Sequence, residues 1–93
     1  NKFEIIISSV AADGLNESWL GRKLDENMIL DLVKLNKKNG INIAFEGGEA
    51  ETLVLDCPLF KKKLVVKDAE VVMHDSYSGI FNVKKAKLVD KLE

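Results

Sequence analysis

The sequence predicts an α+β fold with a mainly antiparallel sheet, one long helix and one short helix. Three observations lead to this prediction. The chain starts with a nearly continuous apolar run, continues with apolar residues at helical spacing, and ends in stretches whose apolar residues alternate. At 93 residues it can build one modest hydrophobic core, so we expect a single domain over residues 1–93.

The first strand is predicted at Phe3 to Val10, where apolar and β-branched residues are typical of a strand covered on both faces. A short helical turn is predicted in "LNESWLG". Asn16 can cap its free amides, and Gly21 can adopt the left-handed conformation that ends it.

The long helix is expected to begin near Asp25, a suitable N-cap. Its apolar residues recur at helical spacing, and they are Met28, Ile29, Leu32, Val33 and Leu35. Lys37 and Lys38 suit the negative end of the helix dipole, and Gly40 suits the position just beyond the last turn.

Three further strands are predicted after residue 50. In "LVLDCPLF" the period changes to two, and Pro58 marks the end of a strand or a sheet edge. The segments "KKLVVKDAEVVMHD" and "GIFNVKKAKLV" form a predicted hairpin around "SYSG".

The charge balance excludes several classes of function. The chain has fourteen basic and fifteen acidic residues, for a formal net charge of -1. We therefore expect no direct nucleic-acid binding and no membrane attachment. Cys57 is the only cysteine, which rules out an internal disulfide and a cysteine-based zinc site and favours a reducing, cytoplasmic setting. No metal site is predicted.

The stretch "FEGGEAET" places Glu46, Glu49 and Glu51 around Gly47 and Gly48. The glycines permit unusual backbone conformations and close approach of another molecule, while the glutamates offer charge and acceptors. Such carboxylates can bind a cation, accept a proton or help to place a magnesium ion. The alternative is a simple turn with solvated glutamates.

Most of the chain resembles the C-terminal half of the diphthine-ammonia ligase family, an N-type PP-loop ATP pyrophosphatase group. The resemblance is carried by "AADGLNESWLGRKLDE", "LVKLNKKNGIN" and "EGGEAETLVLDCPLFKKK", in that order. The family pattern is Gly-Glu-Gly-Gly-Glu-aromatic-Glu-Thr followed by Leu-Asp-x-Pro-Leu-Phe. Phe45 stands where the pattern has Gly, and Ala50 stands where it has Tyr or Phe.

The resemblance implies an enzyme that activates the carboxylate of diphthine, a modified histidine on a translation elongation factor, with ATP and magnesium, and then adds ammonia. Its nucleotide would bind an N-terminal PP-loop domain carrying Ser-Gly-Gly-Lys-Asp-Ser. Neither that motif nor another phosphate-binding loop occurs here. We therefore expect this chain to be the C-terminal domain, without a cofactor of its own and inactive alone, with the PP-loop domain and the modified elongation factor as partners. A homodimer is a further expectation.

The resemblance also assigns candidate site residues. Glu46, Glu49 and Glu51 are the candidate catalytic residues. The candidate substrate-binding residues are Gly47, Gly48, Thr52, Trp19 and Arg22. Trp19 can join Phe45 in an aromatic wall for a methylated cation, although its spacing favours core packing and predicts that it is mostly buried.

Other chemically active residues favour plainer roles. Lys61 to Lys63 are typical of a solvated strand edge, Cys57 of a small buried hydrophobe, and His74 of a surface position without a metal partner. The alternative function is a non-catalytic binding module with the same fold, which the departures at Phe45 and Ala50 favour.

Overall fold

The computed structural model describes residues 3–91. Within them the chain forms four strands, one α-helix and one 3₁₀ turn, so the α+β class is confirmed. The elements are β1 (Glu4–Ala11), the 3₁₀ turn (Glu17–Trp19), α1 (Glu26–Asn39), β2 (Ala50–Asp56), β3 (Lys62–Asp75) and β4 (Ser78–Asp90).

The strands form one antiparallel sheet in the order β2-β1-β4-β3. The strand β1 is therefore internal, and Ile6 and Ile7 are buried on its opposite faces, as the continuous apolar run predicts. The strand β2 is an edge strand that ends just before Pro58, which is also as predicted. The hairpin of β3 and β4 turns at Ser76 and Tyr77.

The segment from Gly21 to Leu24 interrupts the sheet between β1 and β4. The Gly21 amide donates to the Ile7 carbonyl at 2.8 Å, and the Leu24 amide donates to the Ile5 carbonyl at 2.8 Å. The strand β2 pairs with one edge of β1 along its length. The segment from Gly21 to Leu24 pairs with part of the other edge, so β4 can pair only with the remainder of that edge. The strands β1 and β4 consequently pair at three positions, from Ser9 with Ile80 to Ala11 with Ser78.

The predicted caps of α1 are confirmed. The Asp25 side chain accepts the Met28 amide at 2.8 Å, and Gly40 ends the helix in the left-handed region at φ 77°. The prediction of a second, short helix is only partly met. Asn16 caps it and Gly21 has φ 77° as expected, but only three residues lie between them in helical geometry and they form a 3₁₀ turn, since so short a segment favours the tighter turn.

The core lies between α1 and the sheet. Its fully buried side chains include Met28 and Leu32, which lie one turn apart on the same face of the helix. They pack with side chains from β1 and the following loop, namely Ile7, Val10 and Leu15. Burial of each such side chain contributes about 1.5–3 kcal/mol to stability.

The sheet has two ends, which differ in chemistry. We call the end where Glu4 pairs with Asp56 the proximal end, and the end where Val10 pairs with Ala50 the distal end. The turn between β3 and β4 also lies at the distal end, because the Ala12 amide donates to the Tyr77 carbonyl at 3.1 Å. Residues 3–91 include no helix that is both long enough and apolar enough to cross a membrane.

Candidate functional site

The glutamate and glycine stretch forms a loop at the distal end, between Ile41 and the first residue of β2. The Ala11 amide donates to the Glu49 carbonyl at 2.8 Å, which fixes the end of the loop to the end of β1. Ile41 is buried in the core at the start of the loop. The loop is therefore anchored at both ends, and its middle faces outward.

The Glu49 carboxylate closes this loop from within. Its Oε2 accepts the Asn42 amide at 3.0 Å, and its Oε1 accepts the Gly47 amide at 2.9 Å. Both carboxylate oxygens are thus bonded to backbone amides of the same loop. These bonds are charge-assisted and lower the pKa of Glu49, with the Asn42 amide as the largest cause, followed by the amide of Glu49 itself.

The two glycines serve different purposes in this arrangement. A β-carbon on Gly47 would lie 3.1 Å from both carboxylate oxygens of Glu49, so a side chain there would crowd the carboxylate. Gly48 has φ 80° and open space around its α-carbon. The first glycine is therefore favoured by close approach and the second by backbone conformation.

The side chain of Asn42 organises the first half of the loop. Its Oδ1 accepts the Ala44 amide at 2.8 Å and lies 3.4 Å from the Glu46 amide. This is the local turn that asparagine favours. Asn42 was not among the predicted site residues, although its place after a buried apolar residue at the start of a polar loop is a usable signal.

Phe45 and Ala50, the two departures from the family pattern, lie against the core and in it, respectively. Ala50 is 8% exposed and is part of the core, and Phe45 packs against that core. Phe45 also has φ 58°, in the left-handed region that favours glycine. The position at which the pattern has glycine is therefore one whose backbone conformation suits glycine.

Glu46, Glu51 and Thr52 are exposed. Across residues 3–91, neither the Glu46 nor the Glu51 carboxylate makes a hydrogen bond or an ion pair. The loop thus holds the Glu49 carboxylate inward and leaves the Glu46 carboxylate exposed, and Glu51, the second residue of β2, leaves another carboxylate exposed next to it in the chain.

Trp19 and Arg22 lie apart from the loop's hydrogen-bond network. Trp19 is 6% exposed, which confirms the prediction that it is mostly buried. The Arg22 guanidinium lies 4.5 Å from the centroid of the Trp19 ring, and its Nη2 contacts Asp31 Oδ2 at 2.6 Å. Arg22 therefore ties the 3₁₀ turn to α1. Within the described chain no hydrogen bond or ion pair connects either residue to the glutamate loop.

The remaining polar candidates occupy other places. His74 is exposed and borders a concavity that is also lined by Glu17, Met73 and Asp75. Cys57 is half-buried, and its carbonyl accepts a hydrogen bond from Lys91 at 2.8 Å. In the part of the chain that the structure describes, no group of three or more histidine, cysteine, aspartate or glutamate residues is placed to hold a metal ion.

Comparison with known proteins assigns the fold to a family. Residues 1–89 match the family model of the diphthamide synthase C-terminal domain. The chain is 50% identical over 88 residues to the diphthine–ammonia ligase of Schizosaccharomyces pombe, covering 95% of this chain and 14% of that protein. It is 47% identical over 77 residues to the human diphthine–ammonia ligase, covering 82% of this chain and 28% of that protein.

A similar match is found to the diphthine–ammonia ligase of Danio rerio, with 44% identity over 93 residues that cover 95% of this chain and 36% of that protein. The chain spans little more than a third, or less, of the length of these three relatives. The family model and these identities lead to one conclusion, that the chain belongs to the diphthamide synthase C-terminal domain family.

Proposed function

We propose that this chain is the part of an ATP-dependent diphthine–ammonia ligase that completes the active site and recognises the substrate. Membership of the C-terminal domain family and the identity to three diphthine–ammonia ligases support this role. The observation that carries it is the Glu49 carboxylate, which holds the loop in one shape through Asn42 and Gly47 and leaves Glu46 and Glu51 exposed.

The exposed carboxylates suit a cationic substrate. Diphthine carries a quaternary ammonium group, which has no N–H to donate and is attracted mainly by charge. Ammonia reaches such an enzyme mostly as ammonium, which must lose a proton before it can attack an activated carboxylate. Glu46 and Glu51 can serve either role. A loop whose backbone is held in advance supports both roles, because the loop does not have to fold when the substrate arrives.

Glu49 has a different role in this proposal. Both of its oxygens accept backbone amides, so in this conformation it positions the loop while its neighbours face the ligand. Gly47 and Gly48 permit that geometry, and Thr52 follows on the exposed part of β2. Glu49 remains a candidate catalytic residue only if substrate binding releases its carboxylate from these amides.

The residues of this loop do not fit the phosphates of ATP. The Asn42 and Gly47 amides that a phosphate would need are already bonded to the Glu49 carboxylate, and phosphate would be repelled by Glu46 and Glu51. We therefore assign ATP and its magnesium ion to a PP-loop domain elsewhere in the full protein. We assign no residue of this chain a role in the chemistry of the nucleotide.

The packing of Phe45 and Ala50 supports the ligase over a non-catalytic module. Both departures from the family pattern lie in or against the core. They therefore change the packing beneath the loop and leave the positions of the exposed glutamates unchanged. Trp19 and Arg22 also support the domain, through the contact of Arg22 with the Trp19 ring and the ion pair of Arg22 with Asp31.

The test is a glutamate series in the full-length ligase, assayed by ATP-dependent amidation of a diphthine-bearing elongation factor. Glu46→Gln and Glu51→Gln keep side-chain shape and remove one charge each. Loss of a general base lowers the rate by about 10² to 10⁴, so a loss confined to one position identifies proton transfer, and graded losses at both identify electrostatic binding.

The control is Glu70→Gln, which removes a solvated glutamate on β3 that pairs with Lys84. We expect its activity to match the unaltered enzyme. Full activity in both Glu46→Gln and Glu51→Gln would overturn the proposed role of the loop.

A further inference from the structure

An aromatic side chain is exposed at the distal end of the sheet. The sequence offers Trp19 and Phe45 as an aromatic wall for a methylated cation, but Trp19 is buried and Phe45 packs against the core. Within residues 3–91 the exposed aromatic side chains are Phe3, Phe60 and Tyr77. Phe3 and Phe60 lie at the proximal end, whereas Tyr77 lies in the β3–β4 turn. Tyr77 is therefore the exposed ring at the same end as the glutamate loop.

Tyr77 borders a concavity of about 570 Å³, which is also lined by Ala11, Ala12, Asp13 and Asp75, together with two serines. Among the described residues no lysine or arginine lines this concavity. Across residues 3–91, neither Asp13 nor Asp75 forms an ion pair. The concavity thus combines an aromatic ring, methyl groups and two carboxylates that no cation neutralises.

Backbone hydrogen bonds set the two turns that carry these side chains beside each other. The Ala12 amide donates to the Tyr77 carbonyl at 3.1 Å, and the Ala12 carbonyl accepts the Leu15 amide at 3.0 Å, which closes the turn that carries Asp13. The Tyr77 amide donates to Asp75 Oδ1 at 2.9 Å. None of these bonds involves the Tyr77 or Asp13 side chain, so either side chain can be replaced without loss of the turns.

The concavity and the glutamate loop lie on the two sides of the end of β1. Ala11 pairs with Ser78 on one side, and its amide donates to the Glu49 carbonyl on the other side. Since neighbouring strands lie about 4.8 Å apart, the backbones of Ser78 and Glu49 are about 10 Å apart. Side chains from both sides can therefore contact one bound substrate side chain.

The lining of the concavity matches a methylated ammonium group. Such a group has no N–H to donate, so it is recognised by charge and by the face of an aromatic ring. Ala11 and Ala12 offer apolar contact to N-methyl groups, while Asp13 and Asp75 offer negative charge. The neighbouring concavity at His74 is larger, at about 730 Å³, but no tyrosine, tryptophan or phenylalanine of the described chain lines it.

We propose that this concavity binds the quaternary ammonium group of the substrate between the Tyr77 ring and the Asp13 carboxylate. The proposal rests on the proposed function and extends it, because it gives the methylated cation a place of its own. Glu46 and Glu51, on the other side of β1, are then left for the ammonium ion that supplies the attacking ammonia.

The first test is a titration of the full-length protein with choline, a small quaternary ammonium ion, at constant ionic strength. We expect choline to shift the Ala12 and Asp13 amide resonances with one dissociation constant. Dimethylbutanol, in which carbon replaces the charged nitrogen of choline, should shift neither resonance. Tyr77→Leu should weaken choline binding by about twofold to fivefold, and Tyr77→Phe, which keeps a ring, should bind as the unaltered protein does. Equal choline affinity in Tyr77→Leu and the unaltered protein would overturn the proposal.

The second test is the amidation assay with the diphthine-bearing elongation factor. Tyr77→Leu and Asp13→Asn should each raise KM by about twofold to fivefold and leave kcat unchanged, because they remove binding that the substrate and the transition state share. The matched control is Phe60→Leu, since Phe60 is 41% exposed and Tyr77 is 39% exposed, but Phe60 lies at the proximal end. We expect the control to leave KM unchanged. An equal rise in KM in Phe60→Leu would contradict the proposal, as would choline binding with no change of KM in Tyr77→Leu.

The two tests together separate this proposal from the proposed role of the loop. If choline binds as expected and Tyr77→Leu raises KM while the Glu46 and Glu51 variants keep full activity, the cation site stands and the role of the loop fails. If the glutamate variants lose activity while choline shifts neither resonance, the role of the loop stands and the cation site fails.

Discussion

The Glu49 side chain folds back over Gly47, and each constrains the other. The Gly47 amide donates to Glu49 Oε1 at 2.9 Å, while a β-carbon on Gly47 would lie 3.1 Å from that same oxygen. The carboxylate accepts the amide, and the absence of a side chain at residue 47 gives the carboxylate room to approach it. The glycine and the glutamate therefore form one structural unit within the loop.

The first prediction concerns the pH dependence of this unit. Because backbone amides lower the pKa of Glu49 below its usual value of 4.5, the carboxylate stabilises the folded loop above that value, and the stabilisation is lost as pH falls through the lowered pKa. We expect the Asn42 and Gly47 amide resonances to shift with a common midpoint below pH 4.5. Glu49→Gln should abolish that transition, and a midpoint at or above 4.5 would contradict the geometry.

The second prediction concerns the exchange of volume between Phe45 and Ala50. Ala50→Tyr alone adds a ring to a packed core and should destabilise by about 1–3 kcal/mol. Phe45→Gly alone relieves the left-handed backbone but removes a ring that packs against that core. The double variant should be less destabilised than the sum of the single variants by about 0.5–3 kcal/mol in urea unfolding. Strict additivity would show that the two positions do not share space.

The third prediction concerns Arg22, which stacks on Trp19 and pairs with Asp31. Arg22→Lys keeps the charge but loses the planar group that makes both contacts. Since both partners of the ion pair are partly solvated, we expect a loss of about 0.5–1 kcal/mol in urea unfolding. Lys23→Arg, at the exposed neighbouring position, is the control and should leave stability unchanged. An equal effect at both positions would mean that the contact with Trp19 contributes nothing.

The fourth prediction compares two lysine ion pairs. Lys91 reaches Asp56 at 2.7 Å, where both side chains are mostly shielded and Asp56 Oδ1 is buried, whereas Lys62 and Asp90 are 3.6 Å apart and exposed. Lys91→Met leaves a shielded carboxylate without its cation and should cost about 1–3 kcal/mol. Lys62→Met should cost less than about 0.5 kcal/mol. Chemical denaturation of both variants measures the difference, and equal losses would contradict the assigned burial.

The features that could be predicted from the sequence are those that depend on residues close together in the chain. The Asn16 and Asp25 side chains accept the nearby Ser18 and Met28 amides, and the Gly40 amide donates to the nearby Asn36 carbonyl, so these capping roles follow from residue type and spacing. The bond from Glu49 to Asn42 depends on how seven residues fold back, and the pairing of Arg22 with Asp31 depends on how the 3₁₀ turn meets α1. Neither relationship has a fixed spacing in sequence, so neither could be predicted.

The segment from Gly21 to Leu24 has a consequence for the order of folding. This segment pairs with part of the edge of β1 that faces β4, so only three residue pairs join β1 to β4. The partners in these pairs are about 70 residues apart in the chain. The β3–β4 hairpin closes over a two-residue turn and can form early, as can the contacts among β1, the 3₁₀ turn and α1. We expect the rate-limiting step to be the joining of these two preformed halves, since few contacts offset the entropy of closing so long a loop.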